Sequence, residues 1–133
     1  MNSIYTVKLI ITLIDIEADE LEQRTRKLWE RMQYLYRRNV IEKVERIPLL
    51  ESNSSEPDKG GSFLPGILEV EARTDSIPRA MLSVDEKTNG KYKVKFIQKT
   101  DDTVITEVTR YNCSDKEFFD LLSQVKNIIE SVG

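Results

Sequence analysis

The sequence predicts an α+β fold of the ferredoxin-like type, a two-layer sandwich in which helices lie mainly on one face of a four-stranded sheet. Three observations support this prediction. Residues 4–15 alternate in polarity, residues 18–38 repeat apolar side chains at helical spacing, and the last third of the chain is typical of two strands and an amphipathic helix. The predicted order is β-α-β, a variable insert, then β-β-α, in a single domain of residues 1–133.

The first predicted strand has one continuous apolar face. Its members, two positions apart, are Tyr5, Val7, Leu9, Ile11 and Leu13. The opposite face carries isoleucines among polar residues, which is typical of a central strand or of a strand whose second face meets another surface.

The first helix is predicted from an apolar stripe. The stripe consists of Leu21, Leu28, Met32 and Leu35. The segment contains no glycine or proline, and Asn39 is a plausible C-terminal stop. Residues 40–47 then predict a second strand that Pro48 limits. Because a helix separates these two strands, they can lie parallel through a right-handed crossover.

The middle of the chain allows two interpretations. Residues 51–62 contain no apolar side chain and are predicted to be a disordered loop. In residues 63–89, Asp75-Ser76 followed by Ile77-Pro78 favours the start of a helix. The competing interpretation makes Leu68–Ala72 and Met81–Glu86 strands, with Asn89-Gly90 as a hairpin turn.

The last third gives stronger signals. Apolar and lysine side chains alternate over Lys91–Phe96, residues 100–102 suit a turn, and residues 103–110 are rich in β-branched side chains. Ser114 and Glu117 then have the spacing of a capping box, in which each side chain binds the backbone amide of the other residue. We therefore expect a hairpin followed by a helix.

Composition excludes several classes of function. The 133 residues include no histidine, so Ser–His and Cys–His catalysis and most zinc sites are excluded. The net charge of −3 argues against a general nucleic-acid binder. Residues 4–16 are too short and too polar to span a membrane and lack the flanks of a signal peptide. We expect a cytoplasmic protein without membrane contact.

No residue stands out as catalytic, and no cofactor or metal site is expected. The single cysteine, Cys113, precedes the last helix but has no histidine to activate it. Asp101 and Asp102 are adjacent carboxylates in a predicted tight turn, where aspartate is favoured for backbone reasons. In Lys59-Gly60-Gly61-Ser62 the lysine precedes the glycines, which is the wrong order for a phosphate-binding loop.

One side of the first helix forms a basic face. Its members are Arg24, Lys27, Arg31 and Arg38. Such a face can bind RNA or an acidic partner. Interleaved Glu20, Glu22 and Glu30 favour a solvated, salt-bridged surface instead.

The second face of the first strand is a candidate partner-binding surface. It carries Ile4, Ile10 and Ile14, which are exposed if helices cover only one side of the sheet. An exposed apolar patch on a soluble protein often marks a contact surface. In the alternative interpretation, the 63–89 segment covers these isoleucines.

Spacings along the chain also resemble a known family. The matching features are Phe63–Leu68, Val70–Ala72, Ile77, Ala80–Leu82, the basic strand Lys91–Phe96, the strand Val104–Val108, the helix led by Ser114, and the acidic helix entry Glu17–Leu21. In these features the chain resembles the effector-associated constant component family of small bacterial proteins. The resemblance spans nearly the whole chain and consists of apolar spacings rather than catalytic signatures.

The resemblance implies a non-enzymatic adaptor of bacterial conflict or antiviral systems, encoded beside an effector such as a caspase-like or trypsin-like peptidase. It also favours a helix over residues 64–87. The function we expect is a cytoplasmic protein-interaction module that couples an effector to its sensor or regulator. Two alternatives stay open: a small-molecule-sensing regulatory domain, and an RNA-binding module that uses the basic face.

Overall fold

The computed structural model describes residues 5–49, 62–111 and 114–132. These residues form five strands and three helices, with one 3₁₀ turn, Thr74–Ser76, between the third strand and the second helix. In chain order they are β1 (Thr6–Leu13), α1 (Ala18–Arg37), β2 (Lys43–Pro48), β3 (Phe63–Arg73), α2 (Ile77–Thr88), β4 (Tyr92–Gln98), β5 (Val104–Arg110) and α3 (Asp115–Val132). The predicted disordered loop 51–62 lies outside the described residues except for Ser62, whose carbonyl oxygen accepts a hydrogen bond from the Leu49 amide at 2.9 Å.

The strands form one antiparallel sheet in the order β2-β3-β1-β4-β5. β1 is central, as its two-sided apolar pattern predicts, and Leu9 lies opposite Val70 on one side and Phe96 on the other. β1 and β2 run in the same direction, because each is antiparallel to β3. They are not neighbours, since β3 lies between them.

The predicted α+β class is confirmed, but the number of strands is wrong. The described chain has five strands rather than four. The additional strand is β3, which lies in the segment that the sequence allowed to be either a helix or strands. The helix expected over residues 64–87 is wrong for its first part, which is β3, and right from Ile77 onward. Leu68–Ala72 form a strand rather than the helix that the resemblance favours. Every second side chain there is buried in the core, and the segment pairs with β1 on one side and β2 on the other.

The competing interpretation is wrong for residues 81–90. Met81–Glu86 belongs to α2, which begins at Ile77 with Pro78 in its first turn. Asn89 has a φ of 56°, the left-handed conformation that ends a helix, so Asn89-Gly90 terminates α2 instead of turning a hairpin. The capping box is confirmed, because Ser114 and Glu117 exchange side chain to amide hydrogen bonds of 2.8 and 3.2 Å.

All three helices pack on one face of the sheet. The buried face of β1 consists of Val7, Leu9, Ile11 and Leu13. These side chains share one hydrophobic core with buried side chains of every helix, including Leu28 and Met32 of α1, Met81 of α2 and Phe118 of α3. Within the described part of the chain, no helix has the length and apolar content that a membrane crossing requires.

A buried threonine sets the position of α1 against β3. The Thr25 hydroxyl donates to the Leu21 carbonyl oxygen and accepts a hydrogen bond from the Gly66 amide, both at 2.7 Å. Gly66 has a φ of +87°, and a Cβ there would lie 3.2 Å from the Leu21 side chain. Only glycine combines this backbone conformation with so close an approach to the helix.

Arg110 joins three elements at the other side of the molecule. Its guanidinium, on a side chain only 6% exposed, donates to both carboxylate oxygens of Asp85 in α2, at 2.8 and 3.2 Å, and to Asp115 in α3, at 2.9 Å. It also binds the Ser114 carbonyl oxygen at 3.0 Å and lies 4.5 Å from the centroid of the Phe118 ring. β5, α2 and the start of α3 are therefore held by one planar cation.

We predict that Arg110→Ala lowers the free energy of unfolding by about 3 kcal/mol, because it leaves the carboxylates of Asp85 and Asp115 and the Ser114 carbonyl oxygen without their donor. Arg79→Ala, at an exposed position of the neighbouring α2, is the control and should change it by less than about 0.5 kcal/mol. Urea unfolding followed by circular dichroism measures both variants. Equal urea midpoints for Arg110→Ala and the unaltered chain would contradict the stabilising role of Arg110 between β5, α2 and α3.

Candidate interaction surfaces

The face of the sheet opposite the helices is the first candidate surface, and we call it the open face. Strand register places on it Thr6, Lys8, Ile10, Thr12, Ile67, Glu69, Glu71, Arg73, Lys93, Lys95 and Ile97. Ile10 lies between Glu69 of β3 and Lys95 of β4. Charged side chains therefore surround the isoleucines of this face.

Ion pairs organise the charges of the open face. The Lys8 ammonium lies 3.0 Å from Asp102 and 4.0 Å from Glu69, and the hydrogen bond to Asp102 raises the pKa of Lys8. Glu71, whose side chain is only 8% exposed, lies 3.2 Å from the ammonium of Lys99 and 3.9 Å from that of Lys43. Paired charges thus surround the half-buried isoleucines.

The three isoleucines predicted as a partner surface have different positions. Ile10 is half-buried on the open face. Ile14 follows the end of β1, where its amide binds the Lys91 carbonyl oxygen at 3.1 Å. Ile4 lies outside the described residues. The apolar companions of Ile10 on this face are instead Ile67 and Ile97. Sequence reasoning missed Ile67 because β3 was not assigned, and Ile97 because it lies one residue beyond the predicted strand Lys91–Phe96.

The basic face of α1 is largely engaged with neighbouring groups. Arg24 pairs with Glu20 at 3.6 Å, and Arg31 pairs with Glu86 of α2 at 3.2 Å. The guanidiniums of Arg31 and Arg38 lie 5.8 and 5.2 Å from the centroid of the Tyr34 ring. Lys27 is exposed beside them. This arrangement agrees with the salt-bridged interpretation of the helix surface.

A groove between α1 and β2 is a surface that the sequence did not indicate. Its volume is about 990 Å³. One wall is a stripe of α1 formed by Glu22, Arg26, Trp29 and Glu30. The remaining lining comes from β2 and the start of β3: Val44, Glu45, Arg46, Pro48, Ser62, Phe63 and Pro65. In the sequence, the one sign of this groove was Trp29, a large apolar residue that lies beside the apolar stripe of the first helix rather than on it.

A half-buried ion pair lines this groove. Arg46, 7% exposed, donates to both carboxylate oxygens of Glu22 at 2.7 and 2.8 Å, and its guanidinium lies 5.1 Å from the centroid of the Phe63 ring. The hydrogen bonds from Arg46 lower the pKa of the Glu22 carboxyl. Arg26 approaches the same carboxylate at 3.2 Å.

Asp101 and Asp102, the adjacent carboxylates, occupy structural positions in the turn between β4 and β5. Asp101 accepts a hydrogen bond from the Thr103 amide at 3.0 Å, and hydrogen bonding with Thr103 lowers the pKa of the Asp101 carboxyl. Asp102, with a φ of 60°, turns the β4–β5 hairpin and pairs with Lys8. Cys113 lies outside the described residues, as does Lys59-Gly60-Gly61. Over the described ranges, no three His, Cys, Asp or Glu side chains are grouped so as to hold a metal ion.

Comparison with protein-family models, with curated proteins and with solved structures finds no match for this chain.

We predict that Glu22→Gln weakens the pH dependence of stability in acid. Because the folded-state pKa of Glu22 lies below the ordinary value of 4.5, its contribution to stability is present above that pH and is lost as the pH falls through the folded-state pKa. Urea midpoints measured from pH 6 to pH 3 should fall less steeply for Glu22→Gln than for Glu20→Gln, the exposed control on the same helix. Parallel slopes for the two variants would contradict this prediction.

We predict that replacing Arg24, Lys27 and Arg31 together by glutamine changes the urea midpoint little, because exposed ion pairs each contribute less than about 1 kcal/mol. We also expect no RNA binding by the unaltered chain at about 50 mM salt, measured by fluorescence anisotropy with labelled single-stranded RNA. Binding with a steep salt dependence that the triple variant flattens would contradict this expectation and restore the RNA-binding alternative.

Proposed function

We propose that this protein is a non-enzymatic interaction module that docks a protein partner on the open face of its sheet. The observation that carries the proposal is the placement of all three helices on the opposite side. Ile10, Ile67 and Ile97 are thereby left without covering elements among the described residues. Half-buried apolar side chains within a charged surface suit a protein interface with a small apolar centre and a polar surround.

The fold that presents this face is, we propose, an extended ferredoxin-like sandwich. The segment β1-α1-β2-β3-α2-β4 has the β-α-β-β-α-β order of that type, and its strands lie in the spatial order β2-β3-β1-β4. β5 and α3 extend the sheet at β4 and enlarge the helical layer. The open face is therefore one strand wider than a four-stranded sandwich would offer.

The chemistry of the open face favours a protein over RNA. No aromatic side chain lies among its residues, whereas sheet surfaces that read single-stranded RNA stack bases on aromatic rings. Glu69 and Glu71 place carboxylates among the lysines of this face, and both pair with lysines across strands. A partner with apolar side chains and charges of both signs matches this surface.

The family resemblance supplies the proposed setting. We place the protein in the cytoplasm, as the adaptor of a bacterial conflict or antiviral system. Its partner is then an effector or regulator encoded nearby, such as a caspase-like or trypsin-like peptidase. Coupling by contact requires no catalytic residue in the adaptor itself.

We predict opposite outcomes for neighbouring residues of β1. Leu9→Asp should unfold the protein, because a buried, unpaired carboxylate costs several kcal/mol against a total stability of about 5–15 kcal/mol. Ile10→Asp should stay folded, since its side chain points to the open face, and should bind the neighbouring effector about tenfold more weakly. Circular dichroism tests folding, and calorimetric titration with the purified effector tests binding.

Two results would contradict the proposal. If Ile10→Asp unfolds the protein as severely as Leu9→Asp, both faces of the sheet are covered. If Ile10→Asp binds the effector as tightly as the unaltered chain, the partner contacts another surface. Ile67→Asp, on the neighbouring strand of the same face, repeats the test at a position that the sequence had not indicated.

A further inference from the structure

We propose a second docking site at the edge of the sheet: the groove between α1 and β2 binds an extended, apolar and basic segment of a partner protein, which adds to β2 as a further strand. This site is independent of the open face, because the groove lies on the helical side of the sheet. It goes beyond the proposed function by giving the adaptor a second point of attachment.

The backbone of β2 supplies the first argument. β2 is an edge strand that pairs only with β3 in the described sheet. An edge strand carries a row of amide and carbonyl groups that point away from its neighbour, and an extended peptide can bind them as an added strand. The edge of β2 borders the groove through Val44, Glu45 and Arg46.

The shape of the groove supplies the second argument. The α1 residues of its wall are three and four positions apart, so they form one line along the helix beside β2. Trp29, Val44 and Phe63 provide apolar surface there, and Phe63 is 42% exposed. Alternate side chains of an added strand would point to this side of the sheet, where an apolar side chain finds these contacts.

The charges that line the groove supply the third argument, that the bound segment is basic. Arg46, which lines the groove, is held by both oxygens of Glu22, and Arg26 approaches the same carboxylate. Glu30 also lines the groove, and it forms no ion pair with any residue that the structure describes. The groove lining holds three carboxylates, Glu22, Glu30 and Glu45, against two guanidiniums, Arg26 and Arg46, so a lysine or arginine of the bound segment would balance its charge.

The experiment pans the whole protein against a phage-displayed library of random 12-residue peptides and measures synthetic versions of enriched peptides by fluorescence anisotropy. We expect enrichment of peptides that combine alternating β-branched or aromatic residues with lysine or arginine. Phe63→Ala should weaken their binding about tenfold, the effect of removing an interfacial aromatic anchor. Phe119→Ala is a matched control, since this phenylalanine of α3 is also 42% exposed but lies outside the groove, and should leave binding within about twofold.

Two further measurements test the mode of binding. Glu30→Lys should weaken binding of the basic peptides, whereas Glu107→Lys on the opposite edge strand should not. Hydrogen exchange should show slower exchange of backbone amides in residues 43–48 when peptide is bound. Both effects should persist in Ile10→Asp, so that loss of the open-face partner and loss of groove binding are distinguished.

Three results would overturn the proposal. The first is a selection that enriches no peptide, and the second is an enriched peptide whose binding is unchanged by Phe63→Ala. The third is binding that appears only after residues 51–61 are replaced by a Gly-Ser linker, because the chain itself would then be the natural occupant.

Discussion

The one-sided burial of β1 is the constraint on which the rest of the structure depends. Val7, Leu9, Ile11 and Leu13 lie on the same face of the central strand, so every helix must pack on that side to cover them. β3 and β4 repeat this arrangement, with Val70 and Phe96 opposite Leu9. None of the described helices covers the opposite face, where cross-strand ion pairs hold the charged side chains that surround the isoleucines.

Two polar contacts fix the helices over that core. Thr25 positions α1 against β3 through the Gly66 amide, and Arg110 connects α2, β5 and α3. Hydrophobic burial is non-directional, so it does not by itself determine where a helix lies along a sheet. Hydrogen bonds of defined geometry supply that information. The α1 contact also places the stripe that contains Trp29 beside β2, and thereby forms the groove.

Much of the fold could be predicted from the sequence because its signals are local. The alternation in β1, the apolar stripe of α1 and the Ser114–Glu117 capping box each depend on residues close together in the chain. β3 was harder, because Pro65 and Gly66 interrupt its pattern and its position depends on pairing with β1 and β2. Open-face residues on β1 were predicted, but Ile67 and Ile97 join Ile10 only through strand register. The groove depends on contacts between Glu22 and Arg46, 24 positions apart, which no local pattern records.

The sheet ends in two unlike edges, β2 and β5, and this has a consequence for self-association. If the β5 edge of one molecule paired with the β2 edge of another, each added copy would expose the same two edges again, so growth would be open-ended rather than closed. Exposed charged side chains on both edges oppose such growth: Lys43 and Glu45 on β2, and Glu107 on β5. These charges favour separate copies of the chain, and a chain whose edges were made neutral would lose this protection while each copy kept its native fold.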